Sequence, residues 1–283
     1  MGTVDDPIYL AVTDFPFVLQ FDIDTLDTVR LMKPKFGQQA WSGVAHWQRE
    51  VGTENSIYPM GKVGGFLYPY SIEFQRFTPD MTNFSSPEVI AQFDLKKVSM
   101  VHSFSITENY AIYLAPPVVM SGGVLFHLLH HFHIFEEIEE TKEQTDVYIV
   151  NLKTGEVKEM SGDILFSMHH INAYETKDGK EIVLDLSPTN ELTIKTYPLL
   201  ENMLNPPENS TSWDTSACGA HEVTRYTLNL ETLTISSSTF ENLLQGSTLA
   251  RYVNKFDMPV INELYRGREV CRCLDYELSD FLV

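Results

Sequence analysis

The sequence predicts an all-β fold, a β-propeller of several antiparallel blades. Three observations carry this. Short β-branched or aromatic runs bounded by turn residues recur along the chain. Long helical periodicity is scarce. One turn pattern also repeats at distances that suit successive blades.

Taken in order, Ile8-Tyr9-Leu10-Ala11-Val12 is the first strand signal. Phe21-Asp22-Ile23-Asp24-Thr25-Leu26 follows and leads to Val29: an apolar strand end, an acid, a Thr-containing turn and a return strand. Phe93-Asp94-Leu95-Lys96-Lys97-Val98 is a weaker copy, and Ala111-Ile112-Tyr113-Leu114 is a strand. Gly122 to Glu140, histidine-rich and irregular, is the single candidate for a short helical insertion. Val150-Asn151-Leu152-Lys153-Thr154-Gly155 and Leu228-Asn229-Leu230-Glu231-Thr232-Leu233 repeat the turn, with strand Glu181-Ile182-Val183-Leu184-Asp185 between them. Asp and Asn suit the turn start because their side chains bond the backbone two residues on. Successive Asp/Asn positions lie 72, 57 and 78 residues apart. A four-stranded blade needs roughly 40–50 residues, so the spacing fits blades with long loops. A plain meander of hairpins would use the same turn chemistry.

Composition narrows the function. The 283 residues are 43% hydrophobic, enough for a sizeable core, and are read as a single domain over 1–283. A net charge of −19 repels phosphate backbones and argues against a nucleic-acid partner. No run of apolar residues has the length of a membrane span. Three cysteines, Cys218, Cys271 and Cys273, and no export signal suit a reducing compartment, so a cytoplasmic location is expected.

Three of the nine histidines sit beside strand-like segments: His46 in SGVAHW, His102 in SMVHSFSITENY and His169 in FSMHHINAYE. A lone histidine in an apolar strand is more often a core residue than a ligand, and their separations match no local metal motif. In a propeller, however, the first strand of each blade lines the central channel. Histidines recurring once per blade there would converge on one point. Neutral imidazoles suit Fe(II) and leave coordination positions open.

VHSFSITENY followed by Pro116, MHHINAYE and FDMPVINELYRGR, with GVAHW before Tyr58-Pro59-Met60-Gly61 as a looser fourth segment, resemble in order the conserved segments of the carotenoid cleavage oxygenase family. The resemblance runs from about Ile8 to the end. It implies a partial seven-bladed propeller and a non-haem Fe(II) dioxygenase that splits a C=C bond of a carotenoid or apocarotenoid with O₂, giving carbonyl products. The implied ligands are His46, His102 and His169, with His170 turned to the other face by strand alternation. Asp257 stands where the family has a glutamate that orients a ligand imidazole, one methylene shorter. Val124, Leu125, Phe126, Leu128 and Leu129, after the second ligand, are expected to form an apolar patch for peripheral membrane contact near a tunnel mouth. His127 and His131 have i, i+4 spacing but lack a HExxH glutamate.

The family uses four histidines, and no histidine follows His221 here. The resemblance therefore implies blades missing at both ends, including a leader with a glutamate that supports the second ligand. On this expectation the 283-residue chain is not by itself a competent oxygenase. Two alternatives stay open. One is a retinoid isomerohydrolase-type relative using iron as a Lewis acid on an ester. The other is a non-catalytic propeller fragment that binds lipid or protein.

Overall fold

The structure, a computed structural model, describes residues 8–14, 17–32, 40–63, 70–120, 138–164, 166–186 and 224–239. Every element among them is a strand, and every pairing whose register is given is antiparallel. The chain divides into two compact units, Met1–Tyr113 with Tyr148–Glu159, and Leu114–Val147 with Met160–Val283.

The first unit holds two sheets. β1 (Tyr9–Ala11), β2 (Val18–Phe21) and β3 (Thr28–Met32) form a three-stranded meander. β4 (Ala40–Ser42), β6 (Ser56–Val63), β7 (Tyr70–Phe77) and β8 (Glu88–Asp94) form a larger sheet in that order, with β5 (Gln48–Arg49) also pairing β6. β6 and β7 pair along all eight residues, from Ser56 opposite Phe77 to Val63 opposite Tyr70. The core here is aromatic. Val18, Tyr58, Met60, Phe77 and Met81 are buried together, and Trp47, Phe84, Leu10 and Val12 pack against them. Trp47 stacks on Tyr58 with centroids 4.5 Å apart. A second cluster centres on Phe74, which meets Phe104 and Tyr113 edge-on. Beside it Phe93 stacks on Tyr148 at 4.6 Å. Offset and edge-on contacts add about 0.5–1.5 kcal/mol per pair beyond burial.

β9 (Ser105–Ile106), β10 (Tyr110–Ala115), β13 (Thr145–Asn151) and β14 (Val157–Gly162) make a sheet of order β14-β13-β10-β9. The chain passes between the units within β10, β13 and β14. In the second unit β11 (Val118–Met120) pairs β12 (Ile138–Glu140). These strands flank the stretch expected to be helical: Val118-Val119 and Ile138 are β-branched, and β-branched residues pack better on a pleated surface than on a helix. Residues 121–137 lie outside the described residues. β15 (His170–Glu175), β16 (Glu181–Leu186), β17 (Thr224–Asn229) and β18 (Thr234–Thr239) complete a four-stranded meander. β17 alternates strictly: Thr224, Tyr226 and Leu228 are buried, and Arg225, Thr227 and Asn229 are less so, the period of a sheet with one covered face. Arg225 forks onto Asp185 across the strand pair at 2.7 and 2.9 Å and lies 5.6 Å over the Tyr174 ring.

Three of the four expected turns are built alike. In each, the Asp or Asn side-chain oxygen accepts two backbone N–H groups: Asp24 and Thr25 onto Asp22, Lys153 and Thr154 onto Asn151, Glu231 and Thr232 onto Asn229. The fifth residue closes the turn in the left-handed region: Leu26 (φ 61), Gly155 (φ 73) and Leu233 (φ 57). The Asp94 copy differs. Its fifth residue, Val98, is not left-handed, although Leu95 gives its N–H to the Tyr70 carbonyl just as Leu152 gives its own to Asn109 and Leu230 its own to Lys180.

Candidate metal centre

The three expected ligands occupy equivalent positions in the chain. His46 lies two residues before β5, His102 three before β9, and His169 directly before β15. β9 and β15 are terminal strands of their sheets, and β5 pairs only β6. Each histidine thus lies at the entrance to a strand rather than within one.

In the first unit the structure brings His46 and His102 together. Their Nε2 atoms face each other at 3.1 Å, with the rings at 67°. Behind His102, Asp14 Oδ2 lies 2.8 Å from Nδ1. A carboxylate only accepts, so Nδ1–H is the donor and the lone pair of neutral His102 sits on Nε2, facing His46. The donor set fits a divalent metal. Two imidazole nitrogens at about 2.1 Å from one ion are about 3.0 Å apart when they subtend a right angle and about 3.4 Å at the tetrahedral angle. The observed spacing of 3.1 Å falls between these values, as two ligands of one ion require.

A carboxylate stands behind His102 within this chain: Asp14, in the segment between β1 and β2. The signal was present as a lone acid in the apolar run Ala11-Val12-Thr13-Asp14-Phe15-Pro16-Phe17, but no local pattern links it to a histidine 88 residues later. Tyr58 was also not singled out. Burial, reinforced by the Asp14 charge, pushes its phenol well above the ordinary tyrosine range, partly countered by the Val44 N–H donated to it.

His169 stands in the second unit, half-buried, its carbonyl accepting the Ser167 hydroxyl at 2.6 Å. The next residue, His170, pairs with Leu186 across the sheet, and a bulge follows before Asn172. Other parts of the resembling segments prove structural. Thr107 and Tyr110 close the β9–β10 hairpin through Thr107 N–H to the Tyr110 carbonyl at 2.8 Å. Asn109 accepts from Lys153 Nζ and, through its carbonyl, from the Leu152 N–H. Asp257, the apolar patch Val124, Leu125, Phe126, Leu128 and Leu129, and the pair His127 and His131 lie outside the described residues. Among the described residues no helix is long and apolar enough to cross a membrane.

Fold and site together define a class: antiparallel β proteins with histidines at strand entrances, one of them backed by a carboxylate, in an arrangement compatible with a metal ion. Residues 6–273 match the family of the retinal pigment epithelial membrane protein, RPE65. The chain belongs to that family, the carotenoid cleavage oxygenases, whose members are enzymes. It is similar in structure to an apocarotenoid oxygenase/RPE65 chimera, with 19% identity and a TM-score of 0.58, over 82% of this chain and 46% of that one. A single-residue variant of the Synechocystis apocarotenoid oxygenase matches at 19% identity and the same coverage, with a TM-score of 0.58. The cobalt-substituted Synechocystis enzyme matches at 18% identity and a TM-score of 0.57, over 82% of this chain and 47% of that one. The chain therefore spans just under half the length of these structures.

Proposed function

We propose that the chain forms part of a non-haem Fe(II) dioxygenase that cleaves a C=C bond of a carotenoid or apocarotenoid, with His46 and His102 and, by the family resemblance, His169 as ligands of the ion. The observation that carries this reading is the facing Nε2 pair of His46 and His102 at 3.1 Å with Asp14 behind it, in a chain of this family. When bound, Fe(II) supplies the redox chemistry that lets O₂ react with an alkene. Atoms balance without a co-reductant, since the double bond is replaced by two carbonyls, one oxygen to each product.

The chain's own residues set the conditions. Asp14 keeps the Nδ1–H of His102 engaged, so its Nε2 lone pair stays aimed at the ion, and strengthens that donor. Trp47, next in sequence to His46, packs against Tyr58 and Phe77 and ties the ligand segment to a rigid aromatic core. The precedent for a divalent first-row ion other than iron is the cobalt-substituted Synechocystis enzyme, which makes Co(II) a suitable spectroscopic probe.

The test loads this chain, and in parallel a version extended by design to carry a further histidine, with Fe(II) under anaerobic conditions. A carotenoid is then assayed for aldehydes under O₂. Aldehyde formation lost by at least about 100-fold in His102→Ala is the expected result. Release of retinol from a retinyl ester without aldehyde formation would overturn the dioxygenase reading in favour of an isomerohydrolase. Neither product from either protein would leave the binding-fragment alternative.

A further inference from the structure

Asp14 also reaches the segment that carries His46. Its Oδ1 accepts the Ala45 N–H at 3.1 Å, one residue before the ligand. Its main-chain oxygen accepts the Gly43 N–H at 2.6 Å. The amide between them, Val44 N–H, goes to the phenol oxygen of Tyr58. Three consecutive amides leading into His46 thus have assigned acceptors, and Asp14 supplies two of them. Asp14 keeps 41% of its side chain exposed, so its charge is screened by water and its influence is directional. An aspartate has only two side-chain torsions. Once Oδ2 is fixed against His102, the position of Oδ1, and with it Ala45, is nearly determined.

We propose, on the reading of His46 and His102 as ligands of one ion, that Asp14 is a positioning residue for both imidazoles together. One carboxylate oxygen sets the ring of His102, and the other sets the backbone that delivers His46. The pair is then held as a unit before any ion arrives, so the metal does not have to order two separate segments. Tyr58 is a second anchor, and it acts on the His46 segment alone.

The test begins with the metal-free protein. Imidazole ¹⁵N spectra read the tautomer of His102, and hydrogen exchange reads the Ala45 amide. Asp14→Ala should lose both features: His102 drifts from the Nδ1–H tautomer, and Ala45 exchanges at least about 10-fold faster. Asp14→Asn keeps the shape but replaces one accepting oxygen with an NH₂ donor. It should preserve one readout at the expense of the other, a trade-off that a general loss of packing would not produce. Tyr58→Phe should loosen the His46 segment and leave the His102 tautomer alone. Titration with Co(II) should then show affinity about 10–100-fold weaker in Asp14→Ala, the usual cost of losing a group that orients a ligand. An unchanged Ala45 amide in Asp14→Ala, or both readouts intact in Asp14→Asn, would overturn the proposal. Failure of the unaltered protein to bind Co(II), with both metal-free readouts behaving as expected, would instead overturn the ligand reading and leave the double anchoring standing.

Discussion

Glu50, in the turn after β5, shows how this acidic chain holds a carboxylate at a strand end. Arg76 reaches it through Nε at 3.1 Å and Nη2 at 2.7 Å, while Asn55 Nδ2 and the Thr53 hydroxyl each add a bond at 3.1 Å. Arg76 also donates to the Leu152 carbonyl, tying β7 to the turn after β13. Burial pulls the Glu50 carboxyl upward, but the Arg76 and Asn55 hydrogen bonds, the Arg76 charge and Thr53 together hold it below the ordinary glutamate range. A lowered folded-state pKa means that the associated stability is present above the unfolded value, near 4.3, and is lost as pH falls through the folded one. Glu50→Gln should therefore cost about 1–2 kcal/mol near pH 7, and the gap in urea midpoint between the two proteins should close below about pH 4. A gap that persists in acid would show that the clasp acts by shape rather than charge. At this scale the histidines were legible because each lies in a segment with its own neighbours, SGVAHW, SMVHSF and FSMHHI. Asp14 was not, because hydrogen bonds between residues 31 and 88 positions apart leave no trace in local sequence.

The repeated turn was legible at the level of the element, down to the residue that starts it. Asp22, Asn151 and Asn229 each accept two N–H groups as their residue type suggests. The left-handed fifth residue was not read, since Leu occupies it twice and Gly once. That difference yields a prediction with opposite signs. A Cβ on Gly155 would sit 2.4 Å from the Ile90 carbonyl oxygen at φ +73, so Gly155→Ala should destabilise by about 2–3 kcal/mol from clash and strained backbone. Leu233 holds φ 57 with 44% of its surface exposed, and Leu233→Gly should relieve about 1 kcal/mol of left-handed strain. Urea midpoints moving in the same direction for both would count against the shared turn geometry. The Asp94 copy, read as the weaker one, lacks the left-handed fifth residue, because Val98 at that position is β-branched and disfavours positive φ. Of the stretch expected to be helical, Gly122 to Glu140, only residues 138–140 are described, and they form β12.

Across the whole molecule, the alternation of strands and turns made the all-β class legible. The spacing of turns suggested sheets of about four strands, and two sheets of four, β14-β13-β10-β9 and β15-β16-β17-β18, are present among the described residues. Consecutive antiparallel strands joined by short turns lie side by side, whereas β10 and β13 are neighbours although β11 and β12 lie between them in sequence. The meander persists even where the connection is long. β16 and β17 keep six consecutive pairs in register, from Glu181 opposite Asn229 to Leu186 opposite Thr224. Side chains on both strands fix that register, because a slip of one residue would turn Tyr226 and Leu228 out of the core.

The distances in sequence that hid Asp14 also set a timetable for folding. Residues 14, 45–46 and 102 meet only after chain segments of 31, 56 and 88 residues have closed. Closing such loops costs entropy that local hairpins such as β17–β18 do not incur, and contacts of high sequence separation form slowly. The histidine pair should therefore mature late. In stopped-flow refolding, far-UV circular dichroism should recover first, and the Co(II) absorption band should grow in a slower phase set by assembly of the first unit. Cobalt colour appearing at the rate of strand formation would mean that the two imidazoles are already neighbours in the collapsed chain, before the sheets that carry them are complete.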